Sequence, residues 1–111
     1  MIRVYLYTNP HGDIYAFKAY DHGEGIVCAA VSALSINCVN SIEALTDTHF
    51  TCDYDTTGGF LAFKYPAAKA GQASSDTALL LNSYRLGIEA IATDYKTELT
   101  VYLNDTPLFG S

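Results

Sequence analysis

The sequence predicts an α+β fold: an antiparallel or mixed sheet, built in the order β-β-α-β-β-α-β, with two helices packed on one of its faces. Three observations carry this. Apolar and polar residues alternate with period two at the start of the chain and again near its end. Two long segments repeat their apolar residues at three- and four-residue steps, and turns containing Gly or Pro separate the strand pairs. With 111 residues, half of them apolar, the chain suits a single domain over 1–111 with a substantial core.

The run IRVYLYT sets Ile2, Val4 and Leu6 against Arg3, Tyr5 and Tyr7, the mark of a half-buried strand. Asn-Pro-His-Gly at 9–12 supplies a turn, and DIYAFKA at 13–19 returns as the second strand. From Ile26 onward, Val27, Val31, Leu34, Cys38, Ile42 and Leu45 mark one stripe of a helix of about five turns. Gly25 is its N-cap, and it should stop near Asp47. HFTCDY (49–54), DTTGG (55–59) and FLAFKY (60–65) read as a second hairpin, with Gly58 and Gly59 giving the positive φ of the turn. PAAKAGQASS is a small-residue loop ending in Ser74 or Ser75 as the cap of a second helix. Thr77, Leu81, Tyr84, Ile88, Ile91 and Tyr95 form its buried stripe. Ser83, Gly87 and Ala90 are small enough to let the two helices approach. ELTVYL at 98–103 is the last strand, and 104–111 is a tail expected to fray.

Twelve acidic against six basic residues give a formal charge of −6, which argues against a sequence-independent grip on phosphates and fits a basic protein or peptide partner. Neither direct nucleic-acid contact nor a membrane is expected. Cys28, Cys38 and Cys52 form no CxxC pair, and the N-terminus carries no signal-peptide pattern, so a reducing cytoplasm is the natural setting. Their spacing fits no zinc site, and no cofactor or metal is expected.

The segment DHGEGIVCAAVSAL (21–34) places a histidine and a Gly-Glu-Gly turn just before a cysteine at the start of an apolar helix. With Gly25 as cap, Cys28 is the third helical residue, where unpaired N–H groups and the macrodipole favour an anion. The dipole is worth roughly 0.3–1 kcal/mol, less than one pKa unit, so a thiolate at neutral pH also needs an imidazolium nearby. His22 is the histidine close in sequence, and Gly23, Glu24 and Gly25 can fold it back. Ser32 and Ser35, with Ala29 and Ala30, keep the space beside Cys28 small enough to admit a substrate chain. The same residues admit a second reading, in which Cys28 is a small core hydrophobe and His22 a solvated turn residue. Cys38 and Cys52 read as structural, and His11 and His49 as structural or solvated. A thiol redox sensor would need a resolving cysteine, but Cys38 lies roughly 15 Å along the same helix, beyond disulfide reach.

The run G-I-V-C-A-A-V-S-A-L (25–34) behind a His-containing, Gly-rich loop resembles the signature of the ribosomal-processing cysteine proteases, the Prp or YsxB-like family. In that family a G-H-A motif is followed by a loop and then D-I-V-C-A-A-V-S. The element order, the N-S-I-E-A-L run and the Gly-Gly turn are similar too. The resemblance implies a homodimeric enzyme of the bacterial cytoplasm whose Cys/His dyad removes a short N-terminal extension from a large-subunit ribosomal protein. Its partner would be a basic ribosomal protein N-terminal peptide. Carried over, Cys28 is the nucleophile, and the base is either His22 on a shortened loop or is lost, with Lys18-Ala19 standing at the H-A position. Tyr20, Asp21, Gly23, Glu24 and Gly25 would form a loop closing over the substrate, and Ser32 and Ser35 would line the groove. Replacing Gly23 and Gly25 by Ala is expected to slow turnover and leave stability nearly unchanged. Loss of the base would instead leave a peptide-binding or ribosome-assembly protein of the same fold.

Overall fold

A computed structural model describes residues 1–20, 25–55 and 59–108. β1 (Ile2–Thr8) and β2 (Ile14–Tyr20) are antiparallel neighbours, joined by a turn that Asn9 organises. Its side-chain oxygen accepts from the backbone N–H of His11 (2.8 Å) and Asp13 (3.0 Å), and its amide donates to Ala68 O (2.8 Å). Gly12 supplies the positive φ of 87° that reverses the chain.

After α1 (Ile26–Leu45), β3 (Thr51–Tyr54) and β4 (Leu61–Lys64) form the second hairpin. A single-turn helix α2 (Pro66–Lys69) leads to α3 (Ser75–Asp94), and β5 (Leu99–Leu103) and β6 (Thr106–Pro107) complete the sheet. The strand order is β3-β4-β2-β1-β5-β6; β1 and β5 run parallel and every other pair antiparallel. The sheet is therefore mixed.

Alternation decides the two faces of the sheet. Ile2, Val4 and Leu6 of β1, Phe17 and Ala19 of β2, Leu61 and Phe63 of β4, and Leu99 and Val101 of β5 are buried. They meet Val27, Val31, Cys38 and Ile42 of α1 and Thr77, Leu81, Tyr84 and Ile88 of α3. At the centre Phe17 packs on Phe63 (centroids 5.2 Å apart) and on Tyr84 (4.3 Å). α1 is long and apolar enough to cross a membrane by length and composition alone, yet here its buried stripe belongs to this core.

The expected stripes fail at their ends. Leu45, the last residue of α1, is 71% exposed and Tyr95, the cap beyond α3, 47%, because the stripe loses its partner where each helix ends; Val39 and Ala92 are buried instead. Of the three small residues expected between the helices, Ser83 and Ala90 face solvent and Gly87 makes the contact. A Cβ on Gly87 would stand 3.0 Å from Leu34 Cδ1. Ser74 is the α3 cap, its hydroxyl accepting from Thr77 N. Part of the expected loop after β4 is α2, where Pro66 starts a turn of helix. The expected tail is also built in as far as Leu108, its remaining residues lying outside the described ones: Asn104 and Asp105 take φ of 51° and 67°, the left-handed pair of a tight hairpin, so that Thr106–Pro107 pairs with β5 and Leu108 N bonds Val101 O at 2.9 Å. Gly59 has the expected positive φ of 95°, whereas Gly58 lies outside the described residues.

Candidate active site

α1 starts as its sequence implies. Gly25 is the N-cap with φ 107° and ψ −176°, a conformation open essentially to glycine, and no side chain among the described residues caps the helix. The first helical bond runs from Ala29 N to Gly25 O at 3.1 Å. The N–H groups of Ile26, Val27 and Cys28 therefore precede the intrahelical ladder and lie at the positive end of a 20-residue helix. Cys28 is partly buried, packed at the margin of the core.

One turn further along α1 from Cys28 opens a cleft of about 840 Å³. Its helical wall is Ser32, Ser35, Ile36, Val39, Asn40 and Glu43; its opposite wall is the β3–β4 hairpin, with Cys52, Tyr54, Asp55, Phe60 and Leu61. Ala19 lies between them, and Thr48, His49 and Phe50 close one end. Both serines singled out from the sequence line this cleft. Ser35, 1% exposed, shares a 2.8 Å hydrogen bond with the Tyr84 hydroxyl, so it shapes the wall and offers little surface. Glu43 and Asp55 bring carboxylates to the cleft, and its described lining contains no Lys or Arg.

Tyr20 is not part of a loop. It ends β2, paired with Arg3, and its ring meets Tyr5 and Phe60 (centroids 5.8 and 5.2 Å) on the sheet face away from α1. The regular β1–β2 ladder holds it there. Gly25 is the cap, and Asp21, His22, Gly23 and Glu24 lie outside the described residues. Lys18 also belongs to the far face: it pairs with Tyr5, and its Nζ stands 5.8 Å from the Tyr7 ring centroid. The sheet thus separates Lys18 from the helix that carries Cys28.

The other thiols are held neutral. Burial pushes Cys38 up to about 12, and burial followed by the Asp53 charge raises Cys52. Sequence reading missed Asn40, Glu43, His49 and Asp55 as cleft residues. Asn40 and Glu43 both sit in the N-S-I-E-A-L run of α1, which was a usable signal; His49 and Asp55 join them only through the second hairpin and the segment leading into it.

Residues 1–100 match the family described as cysteine protease Prp. The chain belongs to that family. The ribosomal processing cysteine protease Prp of Bacillus subtilis (strain 168) is 31% identical over 84 residues, 76% of this chain and 75% of that protein. The crystal structure of an essential ribosomal processing protease Prp from S. aureus, in complex with a covalently linked product peptide, superposes with a TM-score of 0.82 at 24% identity, covering 93% of this chain and 99% of that one. SMU.848 from Streptococcus mutans superposes with a TM-score of 0.79 at 27% identity, over 93% of each chain. The α+β fold expected from the sequence is thus the Prp fold, and the family is one of cysteine proteases.

Proposed function

We propose that this chain is a cysteine endopeptidase that removes an N-terminal extension from a large-subunit ribosomal protein, with Cys28 as nucleophile and His22 as base. The observation that carries the proposal is the position of Cys28: third in α1, behind the Gly25 cap, one turn from a peptide-sized cleft. His22 follows the end of β2 by two residues and precedes Gly25 by three, so covalent reach alone holds its Cα within about 11 Å of the cap. Lys18 lies on the opposite face of the sheet, which supports reading the base as His22 and not at the Lys18 position.

In the proposed reaction the His22 imidazole takes the proton from the Cys28 thiol, and the thiolate attacks the scissile carbonyl carbon. The resulting oxyanion is met by N–H groups of the first turn of α1. Collapse breaks the C–N bond, the leaving amine takes the proton from the imidazolium, and water then hydrolyses the thioester. Glu43 and Asp55 suit a basic peptide in the cleft. A cytoplasmic homodimer comes with this reading, and Leu79 and Leu86, 70% and 72% exposed on one face of α3, are surface that self-association would cover.

The test is cleavage of a peptide spanning such an extension and its junction. Cys28→Ala should abolish cleavage, and His22→Ala should lower kcat/KM by at least 10²-fold. If the parent fails to cleave, and Cys28 alkylates with the midpoint of an ordinary thiol, the chain is instead a peptide-binding protein of this fold.

A further inference from the structure

The face of the sheet turned away from the helices has a composition the whole-chain charge conceals. Four of the six basic residues belong to it: Arg3, Lys18 and Lys64 from the strands and Lys69 at its margin. Register arranges the first three. Arg3 lies opposite Tyr20, Lys18 is two residues back along β2, and Lys64 lies opposite Ala16, two residues further back. Each step crosses one strand and moves two residues, so the cations form a diagonal line with spacings of roughly 7–8 Å. Tyrosines flank the line. Tyr102 stacks on Tyr5 (4.7 Å, 12° between planes), Tyr5 meets Tyr20 edge-on, and the Arg3 guanidinium stands 5.2 Å from the Tyr20 centroid.

We propose that this open sheet face is a docking surface for single-stranded nucleic acid, running along the Arg3–Lys18–Lys64 diagonal with bases stacked on the flanking tyrosines. A row of evenly spaced cations matches a linear polyanion better than a lone anion. Aromatic rings at sheet level give the bases a sequence-tolerant platform. A second copy of the chain docked face to face would set cation against cation. An acidic peptide would satisfy the charges but leave the rings without a planar partner. The negative net charge is no obstacle, because among the described residues Asp53 is the one carboxylate on a strand position of this face, and Asp105 accepts from Tyr7 at its edge.

The experiment is fluorescence anisotropy with a labelled ten-nucleotide oligo-U RNA, titrated with the full chain at several salt concentrations, beside a poly-Glu decapeptide and an RNA duplex. Binding of the single strand is expected, with a log–log salt slope of about −2 to −3 for three or four neutralised phosphates. Lys18→Glu combined with Lys64→Glu should weaken it at least tenfold and flatten the slope, without changing Tm or Cys28 alkylation. Tyr102→Ala should weaken it several-fold with the slope unchanged. The proposal is overturned if no complex forms at low salt, if poly-Glu or the duplex binds as tightly, or if sedimentation shows a dimer that the two lysine changes dissociate.

Discussion

Cys38 is 4% exposed in the core, and burial lifts its thiol from an ordinary 9.0 to about 12. The fold thus favours the protonated form, so this contribution to stability is complete below pH 9 and is lost as pH rises toward 12. By pH 10 the loss should reach about 1 kcal/mol. Thermal melts at pH 8 and pH 10 should therefore show a smaller drop for Cys38→Val than for the parent, by a few degrees. Gly25 calls for a different test. Its φ of 107° makes the expectation of harmless alanine replacement wrong for this position. Gly25→Ala should cost roughly 1–3 kcal/mol, measurable as a lower urea midpoint, and should also slow peptide cleavage by shifting the first turn that carries Cys28. An unchanged midpoint would mean that the cap relaxes without strain.

Among the helices, the Ser35–Tyr84 hydrogen bond joins α1 to α3 inside the core. Ser35→Ala and Tyr84→Phe should each cost about 1 kcal/mol, and a double-mutant cycle should show positive coupling, since the bond they share can be removed only once. Gly87→Ala trades a helix-propensity gain of roughly 1 kcal/mol against moving the Leu34 methyl 3.0 Å away. That methyl is the end of a partly buried, flexible side chain, so the net change should be small, whereas Gly87→Val should destabilise by roughly 1–3 kcal/mol. Periodicity made the middles of both helices legible, along with the cap that places Cys28. It could not locate where each helix outruns the layer beneath it, which is why Leu45 and Tyr95 were expected inside. The cleft was legible on one wall: Ser32 and Ser35 share a helix with Cys28, but Asp55 and Phe60 reach it through the pairing of β4 with β2, whose partners are more than forty residues apart (Ala19 with Leu61, Ala16 with Lys64), and for this a single sequence carries no local signal. The β5–β6 turn did carry one, since Asn and Asp are the residues that tolerate left-handed φ.

For the molecule as a whole, the last segment covers a sheet edge. Thr106–Pro107 pairs with β5, Asn104 N bonds Leu6 O at 2.8 Å, and Leu108 packs on the core. Truncation after Leu103 should lower Tm and increase light scattering on heating, by exposing β5 as an open edge; a truncated chain as stable and soluble as the parent would show that β6 is dispensable. The parallel pairing of β1 with β5 reaches further, because it joins two strands separated by nearly a hundred residues (Ile2 with Leu99). During synthesis β2, α1 and the second hairpin are all available before residues 99–103 leave the ribosome, so β1 waits with one row of backbone donors and acceptors unmatched. For that interval the growing chain has an adhesive edge in what will become the middle of its sheet. Slow translation of the codons that lead up to β5 would prolong it, and a neighbouring nascent chain would be the nearest strand to fill it.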